Sequence, residues 1–172
     1  DMGVNMIGSA IIDDEACREA SKQEIIRRYF ATACNVKKGL AEPSELHKQE
    51  MLMNYLHLTP DMRPCVPAAR KKAEETGAPA AAIELPDGRI VTGKTSGLMG
   101  ACSAALLNSL KTLAGIHDRV NLIAPMVLAP IQHLKVEHLG NSNPRLHTDE
   151  VLIALSMSAV TNPTAEMAME AL

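Results

Sequence analysis

The stretch Ala80-Ala81-Ala82-Ile83-Glu84-Leu85-Pro86-Asp87-Gly88-Arg89-Ile90-Val91-Thr92-Gly93-Lys94-Thr95-Ser96 decides the fold class. An apolar run of strand length meets a Pro-Asp-Gly turn signal, and a β-branched run follows. That pattern predicts a β-hairpin. Downstream, Thr95 or Ser96 is expected to cap a long Ala/Leu helix ending near Gly115. Val120 to Ala124 reads as a short buried strand, and Val127 to Leu139 as a helix closed by Gly140. Beyond the polar loop from Asn141 to Arg145, Thr148 is expected to cap another helix, with Asp149 and Glu150 in its first turn. Asn162-Pro163 breaks that helix, and a last one runs to the end.

Upstream of the hairpin the periodicity is helical. Residues 2–12 read as an extended or irregular lead-in. Asp13 or Asp14 caps a helix to about Lys38, with Ile26, Tyr29, Phe30, Ala33 and Val36 as its expected buried stripe. Pro43 opens a second helix, with Leu46, Leu52, Met53 and Leu56 expected to face inward, and Pro67 a third that ends at Gly77. The composition changes at Gly77-Ala78-Pro79. The expected organisation is therefore a helical subdomain over 1–77 and an α/β subdomain over 78–172, in an α/β chain.

Composition removes several functions. A chain of 172 residues buries roughly 70% of its unfolded surface and needs no staple. It has no Trp and only three other aromatics, Tyr29, Phe30 and Tyr55. That is too few to build both a core and a base-stacking platform, and too few for an aromatic cage. A formal charge of −3 argues against a nucleic-acid backbone partner. No apolar run is long enough to span a membrane. Cys17, Cys34, Cys65 and Cys102 are widely spaced without a CxxC, as in reduced cytoplasmic proteins. The opening Asp1-Met2-Gly3 reads as the interior of a longer polypeptide.

Gly88-Arg89-Ile90-Val91-Thr92-Gly93-Lys94-Thr95 fits the phosphate-loop expression GxxxxGK[ST]. Its middle residues favour a strand, however, and Gly88 already serves the Asp-Gly turn. A reduced version keeps Lys94, Thr95 and Ser96 as an anion site at a helix start. Asn143, Arg145 and His147 are the other ligand-binding candidates, in a polar loop that would otherwise serve to cap and pin the chain. No metal site is expected. His133 and His138 lie five apart, ~140° around a regular helix, and HExxH is absent. Cys102 sits in an apolar stretch and reads as a buried, inert thiol. No GxGxxG follows a strand, which leaves a nicotinamide or flavin site without support.

Several strings carry a family resemblance. They are Asp13-Asp14-Glu15 with Glu19 through Tyr29, Glu84 through Ser96, Asn143-Pro144-Arg145-Leu146-His147-Thr148-Asp149-Glu150, and Thr161-Asn162-Pro163-Thr164-Ala165. Together the chain resembles the bacterial family known as domain of unknown function 1846. The resemblance implies the C-terminal portion of a longer protein, whose N-terminal part carries its own glycine-rich, phosphate-loop-like segment. It brings no activity with it. The second half also resembles the start of the cytidine-deaminase-like three-layer (αβα) fold: hairpin, Ala-rich helix, buried strand, helix. Ala104 stands where that fold's zinc motif has Glu, and no PCxxC follows. No cofactor is evident in this chain, while ATP or another nucleotide stays open for the full-length protein. The expected object is a structural and assembly module of a larger cytoplasmic, nucleotide-linked enzyme. Its expected partners are the remaining N-terminal domain and further copies of itself. The alternative is an enzyme domain with its own small-molecule or phosphate site.

Overall fold

The computed structural model describes residues 13–172, and the expected lead-in over 2–12 lies outside them. The chain divides into two compact units, residues 1–63 and 64–172.

The described part of the first unit is a helix pair. α1 spans Asp14–Lys37, and Asp13 caps it by accepting Ala16 N–H at 2.9 Å. α2 spans Pro43–Tyr55 with proline in its first turn, where the missing N–H costs nothing. A single 3₁₀ turn, Pro60–Met62, follows. Gln23 ties the pair to that turn by donating to the Met62 carbonyl at 2.9 Å. The core here is small: Ile26, Met53 and Leu58 are buried, with Ile25 and Tyr29 packed against them. The predicted stripes are therefore only partly realised. Phe30, Leu52 and Leu56 are exposed, because two helices can cover only one narrow strip of each other.

The second unit begins with α3, Cys65–Thr76, ended by Gly77 in the left-handed region at φ 63°. The hairpin follows as expected: β1 is Ala80–Glu84 and β2 is Ile90–Lys94, antiparallel, with Ala80 opposite Lys94 and Glu84 opposite Ile90. Gly88 N–H closes the turn onto the Leu85 carbonyl at 2.9 Å, with φ 82° at Gly88. α3 and α4 (Ala101–Leu113) both pack along the two strands. The sequence suggests α3 as the end of the helical subdomain, whereas it packs on the hairpin and belongs to the second compact unit.

The remaining elements are α5, Pro125–His133, a π-turn at Leu134–His138, α6, Thr148–Ala159, and α7, Pro163–Glu170. Leu107, Leu110, Leu122, Ile123, Leu128, Leu146, Val151 and Leu155 form the main core, sealed by Ala154, Ala165 and Ala168. Each such large aliphatic side chain contributes ~1.5–3 kcal/mol when fully buried.

Two expectations fail in this unit. Val120–Ala124 is not a strand: Leu122 and Ile123 are buried, but the backbone is irregular. An apolar run of this length reads the same whether it is a strand or an anchored loop. Among the described residues the sheet therefore has two strands only, and the element on which the deaminase likeness depended is missing. Secondly, the Ala/Leu helix starts at Ala101 rather than after Ser96. Residues 98–100 instead bond to the chain at Leu146: Leu146 N–H donates to the Leu98 carbonyl at 2.9 Å, and Gly100 N–H to the Leu146 carbonyl at 3.1 Å.

Candidate functional site

The phosphate-loop pattern dissolves in three dimensions. Its residues Ile90–Lys94 are β2, and its two glycines serve the fold. Gly88 occupies the left-handed turn position. Gly93 lies where a Cβ would stand 2.1 Å from Ala105 N and 2.6 Å from Ala104 C, so only glycine lets β2 pass so close to α4. Lys94 is exposed at the end of the strand. Thr95 N–H donates to the Pro79 carbonyl at 2.8 Å.

The structure brings Ser96 and the 143–147 loop together. Arg145 Nε donates to the Ser96 carbonyl at 2.8 Å. Ser96 Oγ accepts Leu98 N–H at 3.2 Å and Met99 N–H at 3.3 Å, folding the loop back on itself. Asn143 Oδ1 accepts Arg145 N–H at 3.1 Å, and Asn143 Nδ2 lies 3.4 Å from His147 Nε2. His147, not Thr148, is the N-cap of α6. Its N–H donates to Glu150 Oε2 at 2.8 Å in a capping box. Ser96, Asn143, Arg145 and His147 thus meet and bond to one another and to the backbone, whereas Lys94 and Thr95 make no side-chain contact with the loop among the described hydrogen bonds.

Sequence reasoning missed the group beneath this loop. Lys135 is only 3% exposed. Its Nζ donates to the Arg145 carbonyl at 2.7 Å and to Glu150 Oε2 at 2.8 Å. Burial pushes the Glu150 carboxyl up, but the hydrogen bonds from Lys135 and His147 N–H outweigh it and hold Glu150 below the usual glutamate range. Ser103, also buried, donates to the Leu146 carbonyl at 3.1 Å. Glu150 three residues after His147 was the legible half of this arrangement; the lysine fifteen residues upstream carried no signal.

Two other expectations are corrected. Cys102 is exposed: it stands in the first turn of α4, at the edge of the core. His133 and His138 stand with ring centroids 5.4 Å apart, edge to face. The π-turn, with Leu139 N–H on the Leu134 carbonyl at 3.0 Å, winds less tightly than the regular helix assumed from sequence and aligns residues five apart. No group of three His, Cys, Asp or Glu among the described residues could hold a metal ion. No described helix is long and apolar enough to cross a membrane.

One cleft adjoins this region, with a volume of about 240 Å³, between α4 and the 121–128 segment. Two of the three polar side chains that line it, Asn108, Lys111 and Asn121, are engaged: Lys111 Nζ donates to the Asp118 carbonyl and Asn108 to the Thr92 carbonyl, both at 2.9 Å.

Sequence comparison matches residues 61–172 to "Domain of unknown function DUF1846, C-terminal" and residues 1–57 to "Domain of unknown function DUF1846, N-terminal". The chain belongs to the DUF1846 family. It is 56% identical over 172 residues to a "UPF0371 protein" of Streptococcus thermophilus, and equally to one of Streptococcus pneumoniae, and covers 35% of each. The chain thus spans about a third of the length of the bacterial relatives it matches. It crosses the junction of the two DUF1846 regions, which lies between residues 57 and 61, within a few residues of the division between its two compact units.

Proposed function

We propose that this chain is a structural and assembly module of a larger cytoplasmic bacterial protein, which forms homo-oligomers. Any active site, and any ATP or other nucleotide, involves residues outside the chain. The observation that carries this reading is how Ser96 and the 143–147 loop are bonded. Arg145 holds the Ser96 carbonyl, Asn143 holds Arg145 N–H, Glu150 holds His147 N–H, and buried Lys135 ties Glu150 to the loop. Ligand sites usually keep convergent polar groups in a cavity of ~300–1,000 Å³; the cleft here is smaller, and its Asn108 and Lys111 are engaged. Residues 78–172 contain no Phe, Trp or Tyr on which an adenine ring could stack.

The second reading, a small-anion site of this chain's own, is favoured by the 2.8 Å contact that joins Arg145 to Ser96. Exposed Lys94 and His147 belong to the same two segments. Titration calorimetry of the chain with ATP, GTP and inorganic phosphate separates the two readings. The module reading expects no binding heat. Binding with a Kd of about 1 μM or tighter, roughly −8 kcal/mol, overturns it in favour of the anion site.

A further inference from the structure

The first unit holds a helix face that its described residues leave open. Met51, Leu52, Tyr55 and Leu56 line one side of the C-terminal half of α2 and its end, and all four are exposed, Tyr55 to 81%. At ~100° per residue they span ~140° of the helix surface, on the side away from buried Met53. Phe30 on α1 is exposed as well. Against these stand, among the described residues, three buried apolar side chains, Ile26, Met53 and Leu58. A unit of this size needs far more burial than that to hold itself together, and an apolar patch rimmed by polar residues marks a contact surface.

The family match bears on what covers it. Residues 1–57 match the DUF1846 N-terminal region and residues 61–172 the C-terminal one. The curated relatives are much longer, with this chain covering 35% of their length. We infer that α1 and α2 are part of the N-terminal domain of the longer polypeptide, and that the Met51–Leu52–Tyr55–Leu56 face of α2 is their share of that domain's core. The occupant is the rest of that N-terminal domain, meeting the face with aliphatic side chains and leaving the Tyr55 hydroxyl at the polar rim. This inference rests on the module reading and gives it a surface.

Hydroxyl-radical footprinting with peptide mass spectrometry tests it without substitutions. The probe is applied to this 172-residue chain and to the full-length Streptococcus thermophilus relative. In the chain, the Pro43–Leu56 peptide is expected to oxidise rapidly at Met51 and Tyr55, unchanged on dilution and in a chain beginning at Asp13. In the relative, the aligned peptide is expected to oxidise at least about ten-fold more slowly. Rapid oxidation in the relative overturns the inference. So does protection already present in the chain, whether lost on dilution (a second copy covers the face) or lost on removing residues 1–12 (that segment covers it). A failed footprint leaves the calorimetric test of the module reading standing. Tight nucleotide binding to the chain defeats that reading whatever the footprint shows.

Discussion

Lys135 is the most consequential single side chain in the second unit. A lysine loses its hydration on burial, a cost offset only where its donors are met. Here two are, by the Arg145 carbonyl and Glu150. Lys135→Ala removes both bonds and leaves the Arg145 carbonyl and a half-buried carboxylate short of partners. The expected loss is ~2–3 kcal/mol of stability, read as a lowered urea midpoint at unchanged slope. Glu150 makes the arrangement pH-sensitive. Its folded-state pKa lies below its ordinary value. Its contribution is therefore complete above about pH 4.3 and is lost as pH falls through the lowered value. The urea midpoints of wild type and Glu150→Gln should differ at neutral pH and converge in acid. A constant difference would show that the charge is irrelevant. By contrast Glu24, held down to about 2 by Arg27 and Arg28, lies on the open surface of α1, where ion pairs are screened and stabilise little.

At the scale of elements, the hairpin and α4 depend on one missing methyl group. Gly93→Ala would put a Cβ inside the backbone of Ala104 and Ala105, and backbone cannot move aside as a side-chain tip can. The strand and helix must separate, at an expected cost of ~3 kcal/mol or more, checked by denaturant unfolding and by loss of protection at the Asn108–Thr92 contact. α7 depends on its cap. Asn162 Oδ1 accepts Thr164 N–H at 3.0 Å, while its amide reaches the Leu122 carbonyl at 3.4 Å. Asn162→Ala should therefore cost ~1 kcal/mol or somewhat more, visible as a lower thermal midpoint. Both elements were legible in the sequence, because Asp-Gly and Asn-Pro encode their geometry locally. The strand expected at Val120–Ala124 and the helix start expected at Ser96 were not legible. Each depends on where the chain at Leu146 and Asn162 happens to lie.

Across the molecule, burial is distributed unequally. The second unit closes a continuous aliphatic core around Leu146, Val151 and Leu155, all fully buried, while the described residues of the first keep only three apolar side chains inside. Hydrogen exchange should follow this division. Amides of α4 and α6 are expected to exchange only on near-global opening, and those of α1 and α2 orders of magnitude faster. Equal protection in both would contradict the small core of the first unit.

The sequence by itself determined the hairpin, most of the helices with their proline and glycine boundaries, and the family. These follow from local chemistry: turn residues fix backbone angles, and periodicity fixes where helices run. Tertiary structure alone decided that Gly93 serves a helix rather than a phosphate, that Cys102 faces outward, and that His133 and His138 meet. It also decided that Lys135 sits under the 143–147 loop, and that Tyr55 and its neighbours lie open. Each of these depends on which distant backbone comes within a few ångströms, and spacing along the chain does not carry that distance.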